Sequence, residues 1–343
     1  MSTDQEKSKY IALQLVGSPT DQFFFDLSLL YAKEVVQPKG FKLLFAVVYP
    51  DGKWVVTADL EAMPDKVSLS QMIELVEEVD LVVPHLFCQK GLTSLRIFFE
   101  DVLNIPVVGA SGHVASMAQD KQLTKVLAEE AGVRVPKGLR LTRQQADHLT
   151  NVSLQYPVIV KSNNTDNSNG LSLVQSPSEL KAAIDSVLQF DEEVLIEEYI
   201  AGREIRAAII EKDGGFEALP FIEYLVSKKH PIRERTDKYK FDEEGNLLEQ
   251  SEKQYVPAQC PAEVSKTLQT EIAVMMTKMH ERLGCRDFSM YDFRIHEATG
   301  QPYLLEAGLF WSFSESSMIS TMLKEEGRDL REVTGRIWMN RVR

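Results

Sequence analysis

FSMYDFRIHEATGQPYLLEAG (Phe288–Gly308) reads as two apolar strands joined by the turn HEATGQ, and therefore as a β-hairpin. In the first strand Met290, Asp292 and Arg294 alternate with Tyr291, Phe293 and Ile295, so a polar face and an apolar face separate. In the returning strand Leu304 and Glu306 share one face, Tyr303 and Leu305 the other. A turn centred on Thr299 sets Asp292 directly opposite Glu306. Facing carboxylates repel unless a cation lies between them. Oxygen ligands without histidine favour Mg²⁺, typically shared with substrate phosphates. Two other outcomes stay open: Arg294 neutralises the pair, or the register differs.

Working back towards the N-terminus, residues 227–260 are polar and charged and read as a long loop, the kind that forms lids or stays disordered. A helix over 262–283 separates that loop from the hairpin. Before it, YPVIVKS, GLSLVQS, EVLIEEYI, EIRAAIIE and FEALPFIEYLV read as strands, interrupted by a helix near Ser178–Leu188. This is an antiparallel-rich α+β region. The first 115 residues alternate differently. Tyr10–Gly17 is a strand and Gln22–Val36 a helix. FKLLFAVVY is a strand closed by Pro50-Asp51-Gly52, and Ser68–Val79 a helix. VDLVVPHLF is a strand, Leu95–Leu103 a helix and IPVVGAS a further short strand. Strand–helix–strand alternation predicts a parallel sheet flanked by helices. A helix over Lys121–Ala131, stopped by Gly132, leads through Pro136 into the next lobe. One helix is expected to close the chain. The fold class is thus α/β and α+β, in three lobes: 1–115, 116–205, and 206–343 with its lid loop.

Composition narrows the function. The 343 residues carry a formal net charge of −13, which argues against a nucleic-acid or anionic-membrane partner. Three cysteines (Cys88, Cys260, Cys285) lie far apart and make neither a disulfide framework nor a zinc site, as in a reduced cytoplasmic protein. The opening MSTDQEKSKY has no apolar region behind a basic start, so no signal peptide is expected. No apolar run reaches the roughly 18 residues of a membrane span.

Other residues carry candidate chemistry. Lys161 ends the strand PVIVK and opens SNNTDNSNG, whose small residues, Asn167 and Ser168 among them, can fold over phosphates through backbone N–H groups. An ordinary hairpin loop with a solvated lysine is the alternative. Glu197 and Glu204, on either side of the Gly202 turn in EVLIEEYIAGRE, suit a ribose diol or an exocyclic amine, or are solvated edge charges.

Order brings these pieces together. A helix lysine, a strand lysine with a small-residue loop, E-x-x-x-x-G-x-E, a charged lid and D…E on a hairpin resemble the ATP-grasp ligases. More closely, IPVVGASGHVASMAQDKQLTKVLAEEAGVRVP, PVIVK, LIEEYIAGREI and YLLEA resemble D-alanine–D-alanine ligase over nearly the whole chain. The resemblance implies an ATP-grasp fold, ATP and Mg²⁺ as cofactors, and, by analogy, a homodimer. It implies that Lys121 and Lys161 hold the α- and β-phosphates. Glu197 and the Ile200 backbone would read adenine, Glu204 the ribose, and Lys238 the γ-phosphate as the lid closes. Asp292 and Glu306 would bind Mg²⁺. Asp26 falls where the family holds an ammonium, Ser317 near the hydroxyl for the second substrate's carboxylate, and the Ser312 backbone near an oxyanion donor. His85 and Arg294 are further candidate substrate-pocket residues.

The chain also departs from that family. Met290 stands where the resemblance expects an oxyanion-stabilising arginine, Gly308 where it expects an asparagine metal ligand. DNSNG replaces GSS-x-G, and HLFCQKGLTS replaces H-G-x-x-G-E-D-G. LVGSPTDQFFFDLSLLYA, FCQKGLT, DNSNG and LEAGLFWSF…SSMISTM look like the D-Ala–D-Ala-ligase-like enzymes that join mycosporine-glycine to an amino acid such as serine or threonine. That resemblance implies an imine product of the shinorine or porphyra-334 type. Plain dipeptide ligation is the second reading. A non-catalytic ATP-binding regulatory protein is the reading from another class, and the persistence of Lys121, Lys161, Glu197, Glu204, Asp292 and Glu306 argues against it.

Overall fold

The structure, a computed structural model, describes residues 9–149, 152–165, 170–238 and 256–342. By compactness the chain divides into two units: residues 1–115 with 310–343, and residues 116–309. The three expected lobes are drawn differently. The C-terminal segment groups with the first unit, and the expected boundary at 205/206 falls inside a continuous strand, Gly202–Lys212.

In the first unit Tyr10–Gly17 is the centre of a four-stranded sheet, parallel to Phe41–Val48 on one side and to Leu81–Pro84 on the other. It is buried on both faces, as a near-continuous apolar run in a parallel sheet should be. Its last residue is a necessary glycine: Gly17 has φ +93°, and a Cβ there would stand 2.1 Å from the Val48 carbonyl oxygen. Trp54–Thr57, a strand not among those expected, adds an antiparallel edge beyond the Pro50-Asp51-Gly52 turn. IPVVGAS contributes only the single parallel bridge Val82↔Val107. The first helix, Gln22–Lys33, is capped by the Asp21 carboxylate accepting from the Phe24 N–H at 2.9 Å. It stops short of the expected Val36 because that residue's N–H donates to the Phe313 carbonyl at 2.8 Å. The closing helix is two helices, Met318–Glu325 and Leu330–Met339, parted at Gly327 and restarted by the Asp329 cap. Trp338 from the second packs edge-on against Phe41 and Phe313, which anchors the C-terminal segment.

The second unit holds two antiparallel sheets. One has four strands in the order Gly138–Thr142, Glu193–Glu198, Val158–Ser162, Ser172–Val174, with helix Pro177–Val187 packed on it through Leu180, Ile184 and Val187. The other orders Ala258–Gln259, Ile222–Tyr224, Gly202–Lys212, Phe288–His296 and Pro302–Gly308, with Gly215–Ala218 paired to the Gly202–Lys212 strand. Helix Lys266–Leu283 starts at the Ser265 cap and ends at Gly284 in the left-handed region. No helix among the described residues is long and apolar enough to cross a membrane.

Candidate functional site

The hairpin Phe288–Gly308 forms, and Asp292 does pair with Glu306. The pairing depends on a bulge. Register shifts between Asp292 and Phe293, so Leu304 pairs with Phe293 while Glu306 pairs with Asp292, and Leu305 is the extra residue. The expectation that Leu304 shares a face with Glu306 is corrected: Leu304 is buried in the apolar core, whereas Leu305 and Glu306 both line a cleft.

Strand Gly202–Lys212 pairs with Phe288–His296 on its other side and completes a three-strand face. Its rungs read Glu204 opposite Arg294, Arg206 opposite Asp292 opposite Glu306, and Ala208 opposite Met290 opposite Gly308. The side-chain cation beside Asp292 is Arg206, and not Arg294 as in the alternative left open above. Its Nε and Nη2 donate to the two carboxylate oxygens, each at 2.6 Å, a planar bidentate pair. Asp292 is only 6% exposed. Burial works against its charge, but Arg206, Arg233 and Lys238 hold the carboxyl well below the usual range. Arg294 instead lies 3.1 Å from Glu204 and donates to the Gly202 and Pro231 carbonyls. Arg233 donates to the other Glu204 oxygen at 2.6 Å while its guanidinium lies over the Tyr224 ring. Glu204 is thereby kept ionised: burial raises its pKa, and Arg233 and Arg294 more than offset that.

The lysines come from the four-stranded sheet and the helix before it. Lys121 opens helix Lys121–Glu130, whose Asp120 cap accepts from the Leu123 N–H. The Lys121 N–H donates to the Asn163 carbonyl and its amine to the Thr165 carbonyl at 2.8 Å, so the helix start is tied to the root of the polar loop. One turn on, Lys125 reaches the same side and lies 2.8 Å from Glu197. Lys161 lies 2.6 Å from the other Glu197 oxygen. Glu197, expected to face adenine, is 2% exposed with its carboxylate between two ammonium groups. Burial opposes that charge, and Lys125 and Lys161 keep it below the ordinary glutamate value. Burial lowers the Lys125 amine to about 8 despite Glu197. Lys238 ends the short helix Arg235–Lys238. Desolvation first, then Arg233, brings its amine down to about 8 as well.

Lys121, Lys161, Glu197, Ile200, Glu204, Lys238, Asp292, Arg294 and Glu306 all line one cleft of about 800 Å³, part of it open to solvent. Asn167 and Ser168 lie outside the described residues, as do residues 239–255 of the expected lid. Arg206, Lys125 and Arg233 were not anticipated. Lys125 is legible as the i+4 neighbour of Lys121, whereas Arg206 meets Asp292 only through the neighbouring strand. Nothing in the spacing points to Arg233, which arrives from a loop.

The remaining candidates belong to the first unit. Asp26 accepts from the Gln22 amide at 2.7 Å on the first helix. His85 is 1% exposed, its Nε2 2.7 Å from the Gln14 side-chain oxygen, and burial lowers its pKa to about 3. Burial thus favours the neutral form of this packed imidazole. The Ser312 hydroxyl bonds Ser314 at 2.8 Å. The Ser317 hydroxyl donates to the Ser314 carbonyl and accepts from the Trp311 indole at 3.0 Å, so both serines build their own loop.

The donor set suits a hard divalent cation. Asp292 and Glu306 face each other in register on the cleft wall, and among the described residues no cluster of three or more His, Cys, Asp or Glu side chains offers a protein-only cage. Two carboxylates suffice for Mg²⁺ when phosphates and water complete its shell.

A sequence profile described as the D-ala D-ala ligase C-terminus matches residues 127–338. D-alanine–D-alanine ligase from Prosthecochloris aestuarii is 27% identical over 95% of this chain and 96% of its own length. The enzyme of that name from Leptospira biflexa is 30% identical over 68% of this chain and 65% of its own. Among solved structures the fold is similar to VanG D-Ala:D-Ser ligase from Enterococcus faecalis, with TM-score 0.77 and 20% identity over 96% of this chain and 98% of that one. D-alanine–D-alanine ligase from Bacillus anthracis complexed with ATP gives 0.71 and 18%, over 96% of each chain. With the profile spanning more than half its residues, the chain belongs to the D-alanine–D-alanine ligase family, ATP-grasp ligases that form carbon–nitrogen bonds.

Proposed function

We propose that the chain uses ATP and Mg²⁺ to phosphorylate an acceptor oxygen and then joins the activated carbon to the amine of an amino acid. The support is the convergence of Lys121, Lys161, Lys238, Asp292 and Glu306 on one cleft. Lys121 and Lys161 would hold the α- and β-phosphates and Lys238 the γ-phosphate. Glu204 would meet the ribose, and the Ile200 backbone with Glu197 the adenine edge. Mg²⁺ held by Asp292 and Glu306 would offset charge on the transferred group.

We read the acceptor as mycosporine-glycine and the amine as serine- or threonine-like, with Asp26 and Ser317 placing it. The observation behind this choice is Met290, 3% exposed and flanked in register by Ala208 and Gly308. Peptide ligation develops an oxyanion that needs a cation. An enaminone behaves differently. Its ring oxygen takes the γ-phosphoryl group from ATP, leaving ADP and an iminium-like cation. The amine adds to the ring carbon, phosphate leaves, and loss of a proton gives the imine. No free oxyanion forms, and an apolar side chain does not oppose the positive charge. The relatives' names favour a second reading, ligation of D-alanine or another amino acid to D-alanine. A cytoplasmic homodimer accompanies either reading by analogy.

Incubation with ATP, Mg²⁺, mycosporine-glycine and mixed amino acids, beside a reaction with D-alanine alone, separates the two. The imine reading expects a red-shifted absorber whose mass identifies the amine, with ADP release dependent on both substrates. D-Ala–D-Ala formation without any new absorber defeats it in favour of the second.

A further inference from the structure

We propose that Arg206 is a built-in cation standing in for a second metal ion at Asp292, so that the cleft takes one divalent cation, together with its nucleotide. The proposal rests on the ATP and Mg²⁺ reading above. It starts from the three-residue rung Arg206, Asp292, Glu306, which carries two carboxylates and one guanidinium. Both oxygens of Asp292 accept from Arg206 at 2.6 Å. A cation arriving at Asp292 must share an oxygen with that fork or displace it. Displacement would leave a largely buried arginine without its carboxylate, beside Arg233 and Lys238, which is costly. The Arg206 fork is closed on Asp292, while Glu306 acts on the guanidinium through its charge. The next rung, Ala208, Met290 and Gly308, offers no donor side chain. Sharing is what remains, so one Asp292 oxygen, Glu306 and the phosphate oxygens make one hard-cation site and not two. Charge balance agrees, since the guanidinium already supplies compensation that a second ion would otherwise bring.

Mn²⁺ is the probe, counted by the paramagnetic resonance of its free form. The wild-type chain is expected to show no tight Mn²⁺ site alone and one Mn²⁺ per chain with one equivalent of a non-hydrolysable ATP analogue. Arg206→Met, which releases Asp292, is expected to tighten nucleotide-independent Mn²⁺ binding by about tenfold or more and to take a second Mn²⁺ with the analogue. Arg206→Lys keeps the charge and should stay at one. Two Mn²⁺ per wild-type chain overturns the proposal, and so does an Arg206→Met chain indistinguishable from wild type in count and affinity. Should the methionine variant not fold, the wild-type and lysine counts decide the matter. Binding of a fluorescent form of the analogue is followed separately. A wild-type chain that binds no nucleotide defeats the ATP reading, whereas one that binds it with two Mn²⁺ defeats only the role of Arg206.

Discussion

The Lys125 amine lies 2.8 Å from the Glu197 carboxylate, and both side chains are almost wholly buried. With Lys161 at 2.6 Å on the other oxygen, one buried anion serves two cations. Removing one partner of a buried pair costs more than the pair is worth, because a desolvated charge is left behind. Lys125→Met leaves Glu197 with Lys161 and should cost about 2 kcal/mol. Glu197→Gln leaves two lysines facing each other and should cost more, about 3–5 kcal/mol. The double variant should be less destabilised than the sum of the two. Urea unfolding of the four proteins measures this cycle, and strict additivity would show that the contact carries no coupling.

Lys238 gives the clearest pH signature in the cleft. Its amine, lowered to about 8, is a cation below that pH and neutral above it. If it meets the γ-phosphate as proposed, kcat/KM for ATP should fall as pH rises through about 8, since that ratio reports the free enzyme. Lys238→Arg keeps its charge throughout and should move the fall to higher pH. A profile unchanged by the arginine substitution would assign the fall to another group, Lys125 being the next to examine.

How much of this was legible in the sequence differs from residue to residue. Alternation along Met290–Ile295 gives the polar face, and turn spacing brings Asp292 near Glu306, but the observed pairing needs the bulge. The bulge at Leu305 was hidden, because alternation assumes unbroken register and Leu304 and Leu305 are chemically alike. The end of the first helix was equally hidden, since Val36 is claimed by Phe313, far away in sequence. Arg206 was hidden for a third reason. An arginine on a strand is compatible with a solvated edge, and only the neighbouring strand shows that it faces Asp292. Local periodicity thus supplied the elements and most of the cleft. The partners of its charges depended on contacts between strands and loops.

Met290 separates the two substrate readings. It is buried between Ala208 and Gly308 in register, and Met290→Arg would introduce a cation close to Asp292 and Arg206. For condensation through an activated enaminone, the added charge opposes the cationic intermediate, and imine formation should not improve. For dipeptide ligation it would stabilise the oxyanion, where a well-placed donor is worth roughly 10²–10³ in kcat. Rates for both reactions, with the variant's melting temperature as a folding control, test this. A clear gain in imine formation would overturn the electrostatic account of Met290.

His85 yields a prediction about stability and not about catalysis. Its folded pKa, lowered to about 3 by burial, lies below the ordinary 6.5 of the unfolded chain. Between those values the unfolded state binds a proton that the folded state refuses, so stability rises with pH there. The contribution is fully present above about 6.5 and is lost as pH falls from 6.5 towards 3. His85→Asn lacks the titrating ring and should show a smaller loss of urea-midpoint stability between pH 7.5 and pH 5, even though it starts from a lower value without the Gln14 contact. Equal losses in the two proteins would mean that the imidazole is not kept neutral by burial.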